Sequence, residues 1–196
     1  MPKLGMEPIR RAALVKATID EIGAAGSLDV TVAQIARRAG MSSALAHHYF
    51  GGKEQIFLAA MRHVLALYGA GVRGALAMAD GPQARIEAIV RASFSGDNFR
   101  REVISAWLNF YVLAQSNDDV NRLLRIYQRR LRSNLTHALR PLAGPRAPDL
   151  AETVAALIDG LYLRQGLGRE APDGAAASRQ VLGCLRAHLG PPADPA

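Results

Sequence analysis

The sequence has little of what many enzymes and secreted domains need. It has a single cysteine, Cys184, so an internal disulfide is excluded and no oxidising compartment is required. Its five histidines include no pair four residues apart, so a metal site is not expected. Nucleophile-elbow, phosphate-loop and dinucleotide-binding motifs are also absent. We therefore expect no catalytic residues, no metal and no cofactor, and the protein is not predicted to be an enzyme.

Long apolar runs are missing too. No uninterrupted apolar run of about 18 residues is present, and the opening residues lack the apolar stretch of a signal peptide. The expectation is a protein of the cytoplasm that makes no membrane contact. Aromatic residues are only 6% of the chain, whereas hydrophobic residues reach 49% and are rich in Leu and Ala. That composition, with few β-branched runs, favours an all-α fold.

Basic residues are in excess, which suits an anionic partner. The chain has 24 Lys and Arg against 17 Asp and Glu, a formal net charge of +7. Such a balance is compatible with nucleic acid or with an acidic membrane surface. The strongest cluster lies on one predicted helix and comprises Arg122, Arg125, Arg129, Arg130 and Arg132. It is either a second nucleic-acid surface or a solvated helix face.

The pattern of apolar residues and of Gly, Pro, Asn and Asp breaks predicts a string of helices. Two short helices lie between residues 31 and 50, after a first helix and before a long one that begins at Lys53. The longer predicted helices are 8–25, 53 to the mid-seventies, 82–95, 99–116, 118–140, 149–167 and 175–189. Residues 191–196, rich in proline, are expected to be disordered.

Residues 31–50 have the pattern of a helix-turn-helix. Thr31 and Gln34 predict a capping box, and Gly40 suits the left-handed backbone of a tight turn. Leu45 and Phe50 are expected to pack the second helix against the first. The outer face of the second helix then carries short polar and apolar groups and no acid, as suits the major groove. The predicted DNA contacts are Thr31, Arg38, Ser42, Ser43, Ala44, His47, His48, Tyr49 and Lys53.

Three stretches of the first sixty residues resemble the TetR family of bacterial repressors: Thr31 to Ser42, His48-Tyr49-Phe50, and Lys53-Glu54. Further resemblance at 107–111 and 156–164 is to the choline-responsive repressors of glycine-betaine synthesis genes within that family. The resemblance implies a TetR-type fold: an N-terminal three-helix head for DNA at 1–55, and a helical ligand-binding and dimerisation body at 56–190. It also implies a homodimer, a double-stranded palindromic operator and choline as the effector. A repressor of other genes that responds to a different small ligand is the alternative.

Aromatic residues of the body are candidates for holding the quaternary ammonium of choline, since such a cation binds ring faces. Phe94 and Phe99 flank the break before the predicted helix 99–116 and are possible members of the cage. The predicted ligand-binding residues are Trp107, Phe110, Tyr111, Tyr127, Asp159 and Tyr162. The alternative is that Trp107, Phe110 and Tyr111 are ordinary core residues on one helical face.

The last two predicted helices carry an apolar seam that could pair two chains as a four-helix interface. The predicted dimer contacts are Leu157, Ile158, Leu161, Val181, Leu182, Leu185 and Leu189. An internal core seam explains the same spacing, and both interpretations remain open.

Overall fold

The structure is a computed structural model and describes residues 5–96 and 98–189. Within these ranges the regular structure is entirely helical. The helices are α1 (Met6–Ala25), α2 (Val32–Arg38), α3 (Ser43–Phe50), α4 (Lys53–Ala77), α5 (Gly81–Ser93), α6 (Arg101–Leu113), α7 (Asp118–Ala143), α8 (Ala147–Leu167) and α9 (Gly174–Leu189). The all-α prediction is confirmed, and the predicted tail 191–196 lies outside the described residues.

Helix ends follow the local signals of the sequence. Gly26 ends α1 in the left-handed region, with φ of 66°, and its N–H donates to the Ile22 carbonyl. The region between α7 and α8 differs from the break predicted at Pro141 to Pro148. Pro141 lies inside the last turn of α7, where only one hydrogen bond is lost, and a 3-10 turn (Gly144–Arg146) follows directly. Pro148 stands in the first turn of α8, where no N–H donor is needed.

The chain divides into two compact units. Unit 1 contains the chain up to Ala66 together with Arg101–Leu124, and unit 2 contains Leu67–Arg100 and the chain from Arg125 onward. This packing division differs from the functional boundary at residue 55 that the sequence predicts, because α6 packs on α1. A Cβ on Gly23 of α1 would lie only 2.5 Å from the Cβ of Glu102, so the two helices cross almost backbone to backbone.

Each unit has its own apolar core. The core of unit 1 includes the fully buried Leu14, Ile22, Ile35, Ile56, Met61, Ile104 and Phe110. The core of unit 2 includes the fully buried Ile86, Ile89, Leu131, Leu135, Leu139, Ile158 and Val181. In unit 2, α9 packs on α5 and α8. Gly174 begins α9 against the Phe94 carbonyl, a place where any Cβ would collide with backbone.

Helix α4 qualifies as a membrane span by length and composition, with an 18-residue window of mean hydropathy 1.3. It is the one such helix among the described residues. Its first half supplies Ile56, Phe57 and Met61 to the core of unit 1. Since the core helices of water-exposed proteins pass the same test, length and composition alone do not make α4 a membrane span.

Candidate nucleic-acid interface and aromatic site

The two short helices of unit 1 form a helix-turn-helix with capped ends. The Thr31 hydroxyl accepts from the Gln34 N–H at 3.2 Å, and the Thr31 N–H donates to Gln34 Oε1 at 2.7 Å, so the predicted capping box is present. Gly40 in the turn has φ of 67°, which confirms the left-handed backbone expected there. Ser42 caps α3 by accepting from the Leu45 N–H at 3.2 Å.

Packing of α3 differs in one respect from the prediction. Ala46 is the fully buried residue of α3, whereas Leu45 and Phe50 are only half-buried. Ile35 and Ala36 of α2 are fully buried as well. A methyl group fits the close crossing of two short helices, where a leucine side chain would force them apart.

The outer face of α3 presents the polar and small groups that the sequence predicted. Ala44, His47 and His48 are exposed, and Ser43 and Tyr49 are half-buried. His47 Nδ1 lies 3.1 Å from the Gly51 carbonyl, which holds the imidazole at the end of the helix. Since α3 has no acid, nothing on this face repels phosphates.

Thr31, Arg38 and Lys53, like Ser42 and His47, already have partners inside the protein. The Thr31 hydroxyl is occupied by the capping box. The Arg38 guanidinium is paired with Glu21 of α1, which fixes its direction at the edge of α2. Lys53 opens α4, and its Nζ lies 5.4 Å from the centre of the Phe57 ring.

Two arginines of α1 were missed by the sequence analysis. Arg11 donates to the Tyr49 carbonyl and lies over the Phe50 ring, 4.4 Å from its centre. Arg10 donates to the Tyr49 hydroxyl at 3.5 Å. They tie the start of α1 to the end of α3 and add positive charge beside it. The only signal in the sequence is the Arg-Arg pair at the start of the first helix.

The predicted ligand residues fall into both units. In unit 1, Trp107 and Phe110 are buried, and the Trp107 indole N–H donates to the Tyr111 hydroxyl at 3.2 Å. Phe110 is 1% exposed and is an ordinary core residue of unit 1. In unit 2, the Tyr127 hydroxyl donates to Asp159 Oδ1 at 3.3 Å, and Tyr162 follows Asp159 on the same face of α8.

Five rings of unit 2 lie in two contacting groups, one of which reaches Asp159 through Tyr127, and we call these five rings the aromatic site. They are Tyr68, Phe94, Phe99, Tyr127 and Tyr162. Phe94, Phe99 and Tyr162 contact one another at centre distances of 5.0 to 5.9 Å. Tyr68 stands edge-on to Tyr127 at 5.5 Å. The sequence analysis missed Tyr68, because a lone tyrosine on a long apolar helix carries no local sign of its partners.

The phenols of Tyr68 and Tyr162 are fixed in place and neutral. Tyr162 donates to the Ser93 carbonyl at 2.7 Å and lies 3.3 Å from that of Asn98. Burial, with the charge of Asp159, raises its pKa well above the usual range. Burial likewise raises the pKa of Tyr68 to about 12, although a hydrogen bond with Ser93 opposes the shift. Beside these rings, the carboxyl group of Asp159 accepts the hydrogen bond of the Tyr127 hydroxyl.

Most of the predicted dimer contacts are covered within the single chain. Ile158, Leu161, Val181, Leu182 and Leu185 are buried inside unit 2, where α8 packs on α9, and Leu157 and Leu189 are half-buried. Side chains that are already covered cannot lose further surface to a partner. Burial therefore favours the internal seam for these five residues. What remains exposed on α8 includes Leu163 (49%) and Leu167 (73%).

Family models match most of the chain. Residues 14–60 match the N-terminal model of the tetR family of bacterial regulatory proteins, and residues 82–190 match the C-terminal domain of BetI-type transcriptional repressors. The chain belongs to the TetR family, with a C-terminal domain of the BetI type. It is a DNA-binding transcriptional repressor and not an enzyme.

Relatives and solved structures agree with this membership. The chain is 56% identical to the HTH-type transcriptional regulator BetI of Brucella suis biovar 1, over 90% of each chain. A chain from Pseudomonas aeruginosa PAO1, described as a transcriptional regulator, is 26% identical with a TM-score of 0.80, covering 95% of this chain and 93% of that one. A regulator from Saccharomonospora viridis solved in complex with choline has the same fold, with a TM-score of 0.79, 21% identity and coverage of 88% and 93%.

Proposed function

We propose that this TetR-family repressor controls the genes that convert choline to glycine betaine and take choline up, and that choline is its effector. The aromatic site is the observation that carries the proposal: its five rings lie in two contacting groups, and the Tyr127 hydroxyl of one group donates to the Asp159 carboxyl group. A quaternary ammonium has no hydrogen to donate, so ring faces and a nearby negative charge are the groups that recognise it. The BetI name of the relatives and the choline complex of a protein with the same fold support it.

For DNA, we propose that α3 enters the major groove and that His47, His48, Ser43 and Ala44 reach base edges. Ser42, Tyr49 and Lys53 then contact the phosphate backbone, together with Arg38 at the end of α2. Thr31 acts through the position of α2, because its hydroxyl is engaged in the capping box. The two arginines of α1 reinforce the same positive edge. The protein is expected to work in the cytoplasm, where its DNA lies.

A palindromic operator requires two heads, so we propose a homodimer formed by the outer faces of α8 and α9. Ala156, Gly160, Leu163 and Leu167 lie on one exposed face of α8 at helical spacing. On α9, Gly183 faces open space, as does Gly160 on α8. The small residues allow helices of two copies to approach closely, and the leucines supply apolar area.

The ligand would act by shifting a population of dimer conformations. Two operator half-sites that lie one turn of the DNA helix apart require the two DNA-binding heads of the dimer to be about 34–36 Å apart. If a cation at the aromatic site binds more tightly to a dimer conformation with another separation of the heads, it weakens operator binding. The size of the effect is set by the difference between its affinities for the two dimer conformations.

The test is operator binding by the purified full chain, using DNA upstream of its own gene cluster at fixed salt, with and without choline. We expect tight binding that choline weakens. Asp159→Asn should raise the choline concentration needed by roughly tenfold and leave binding without choline unchanged. Asp149→Asn on the same helix is the matched control and should respond as the original does. Tight operator binding that choline does not change would support the assignment as a repressor and reject choline as its effector.

A further inference from the structure

A groove on unit 2 is lined almost wholly by hydrogen-bond donors. It lies between α7 and the first turn of α8, has a volume of about 460 Å³, and is called here the basic groove. Its lining residues are Arg129, Arg132, Ser133, Thr136, His137, Arg140 and Pro148. The side chains of the aromatic site do not take part in it. Volumes of a few hundred cubic ångströms are typical of sites for small organic molecules.

Charge on this part of α7 is one-sided. From Val120 to Ala143 the sequence has six arginines and no acid. Arg125, Arg129 and Arg132 follow one another at spacings of four and three, which places like charges beside each other and destabilises the helix. A merely solvated face would be more stable with acids interleaved. The arrangement therefore favours a site that an anion completes.

Few internal partners satisfy these cations. Glu152 of α8 pairs with Arg132, with 3.4 Å between Nε and Oε2, and both side chains are mostly exposed. Among the described residues, Arg129 and Arg140 form no ion pair. Two guanidinium groups of the basic groove thus remain available to an external anion.

The chemistry of the lining identifies the kind of anion. Planar guanidinium forks bind the oxygens of a phosphate group in pairs, and the Ser133 and Thr136 hydroxyls add further donors. Glu152, which pairs with Arg132, is not itself a lining residue, and the lining has no Phe, Tyr or Trp ring to stack a base. We propose that the basic groove binds a small molecule that carries a phosphate group, as a second ligand site of this repressor. This proposal does not depend on choline being the effector.

The test measures the thermal stability of the full chain in a phosphate-free buffer as inorganic phosphate or glycerol phosphate is added. Sodium chloride at equal ionic strength is the reference, because it separates specific binding from screening. We expect both phosphate compounds to raise the midpoint temperature more than chloride does. Arg129→Gln should weaken the apparent affinity about tenfold, since it removes one charged fork from the site.

Arg130→Gln is the matched control. Arg130 is exposed on the same helix, carries the same charge and does not line the basic groove. It should change the phosphate affinity less than about twofold, a difference well under 1 kcal/mol. Circular dichroism without ligand establishes that both variants fold.

Three results would overturn the proposal. One is the absence of any stabilisation by either phosphate compound beyond that of chloride. Another is an equal loss in the two variants, which would mean a diffuse positive surface. The third is that Arg129→Gln weakens binding to duplex DNA lacking the operator while the phosphate compounds do not bind, which would make the DNA backbone the partner.

Discussion

Lys53 is the residue at which the head of this repressor can be tested most directly. It opens α4 directly after the Gly51-Gly52 turn, and its ammonium rests near the Phe57 ring. Removing it should remove one phosphate contact and so one released counterion. We expect Lys53→Ala to weaken binding to every DNA sequence and to flatten the dependence of log affinity on log salt by about one unit.

Arg62→Ala is the control for Lys53→Ala. Arg62 is exposed on the same helix, about 13 Å further along it, and carries the same charge. Fluorescence anisotropy with labelled operator, repeated at several salt concentrations, gives both slopes. If Lys53→Ala leaves the slope as steep as Arg62→Ala does, Lys53 does not contact a phosphate.

Single residues also show what a sequence can reveal about the aromatic site. Asp159 and Tyr162 were recognisable because they share one face of one helix, and Tyr127 because aromatic residues are scarce. Tyr68 was not, since its partners Ser93 and Tyr127 lie 25 and 59 positions away in the sequence. Contacts of that separation depend on how helices pack, and a local pattern does not encode them.

At the scale of elements, Gly23 decides how closely α1 and α6 cross. A Cβ there would lie 2.5 Å from Glu102 Cβ and 2.6 Å from Glu102 Cα, so backbone must move to admit it. We expect Gly23→Ala to lower the free energy of unfolding by about 1–3 kcal/mol, as overpacking does, and urea denaturation measures the change.

Gly74→Ala in α4 provides the comparison for Gly23→Ala. A Cβ at Gly74 meets nothing within 4 Å, so alanine there should stabilise the helix by about 0.5–1 kcal/mol through backbone entropy alone. Equal stabilisation by both substitutions would contradict a close crossing at Gly23.

Elements were predicted well where the chain signals them locally. The capping residues Thr31 and Ser42 and the glycines at 26 and 40 define helix ends by hydrogen bonds within a few residues. The sequence misled us at Pro141, because proline near the end of a helix disturbs only one turn. It could not reveal that α6 joins unit 1, since that depends on a missing Cβ at Gly23 and on the Asn109 amide, which donates to the Gly26 carbonyl at 3.3 Å.

At the scale of the whole molecule, the proposed dimer concerns surface that the single chain leaves open. Leu163 is 49% exposed beside Gly160 on α8. In a two-fold interface each substitution occurs twice, so Leu163→Glu places two buried charges against apolar surface. We expect the dimer dissociation constant to rise by about 30-fold or more, measured by analytical ultracentrifugation.

Met78→Glu controls for the added charge and lost apolar group. Met78 is 89% exposed and follows the end of α4, which is not one of the two helices assigned to the partner copy. It should leave the sedimentation coefficient unchanged. A monomer in the original chain would reject the homodimer, and a dimer that survives Leu163→Glu would place the interface elsewhere.

Helix α3 buries little of its own surface in the protein core, and this affects how such repressors can diversify. Only a methyl group, Ala46, is fully buried from this helix, while Ala44, His47 and His48 face outward. Outward positions can therefore be exchanged by mutation with little loss of stability, because no core packing depends on them. A gene duplicate could acquire a new set of target promoters in a few steps and keep its fold throughout.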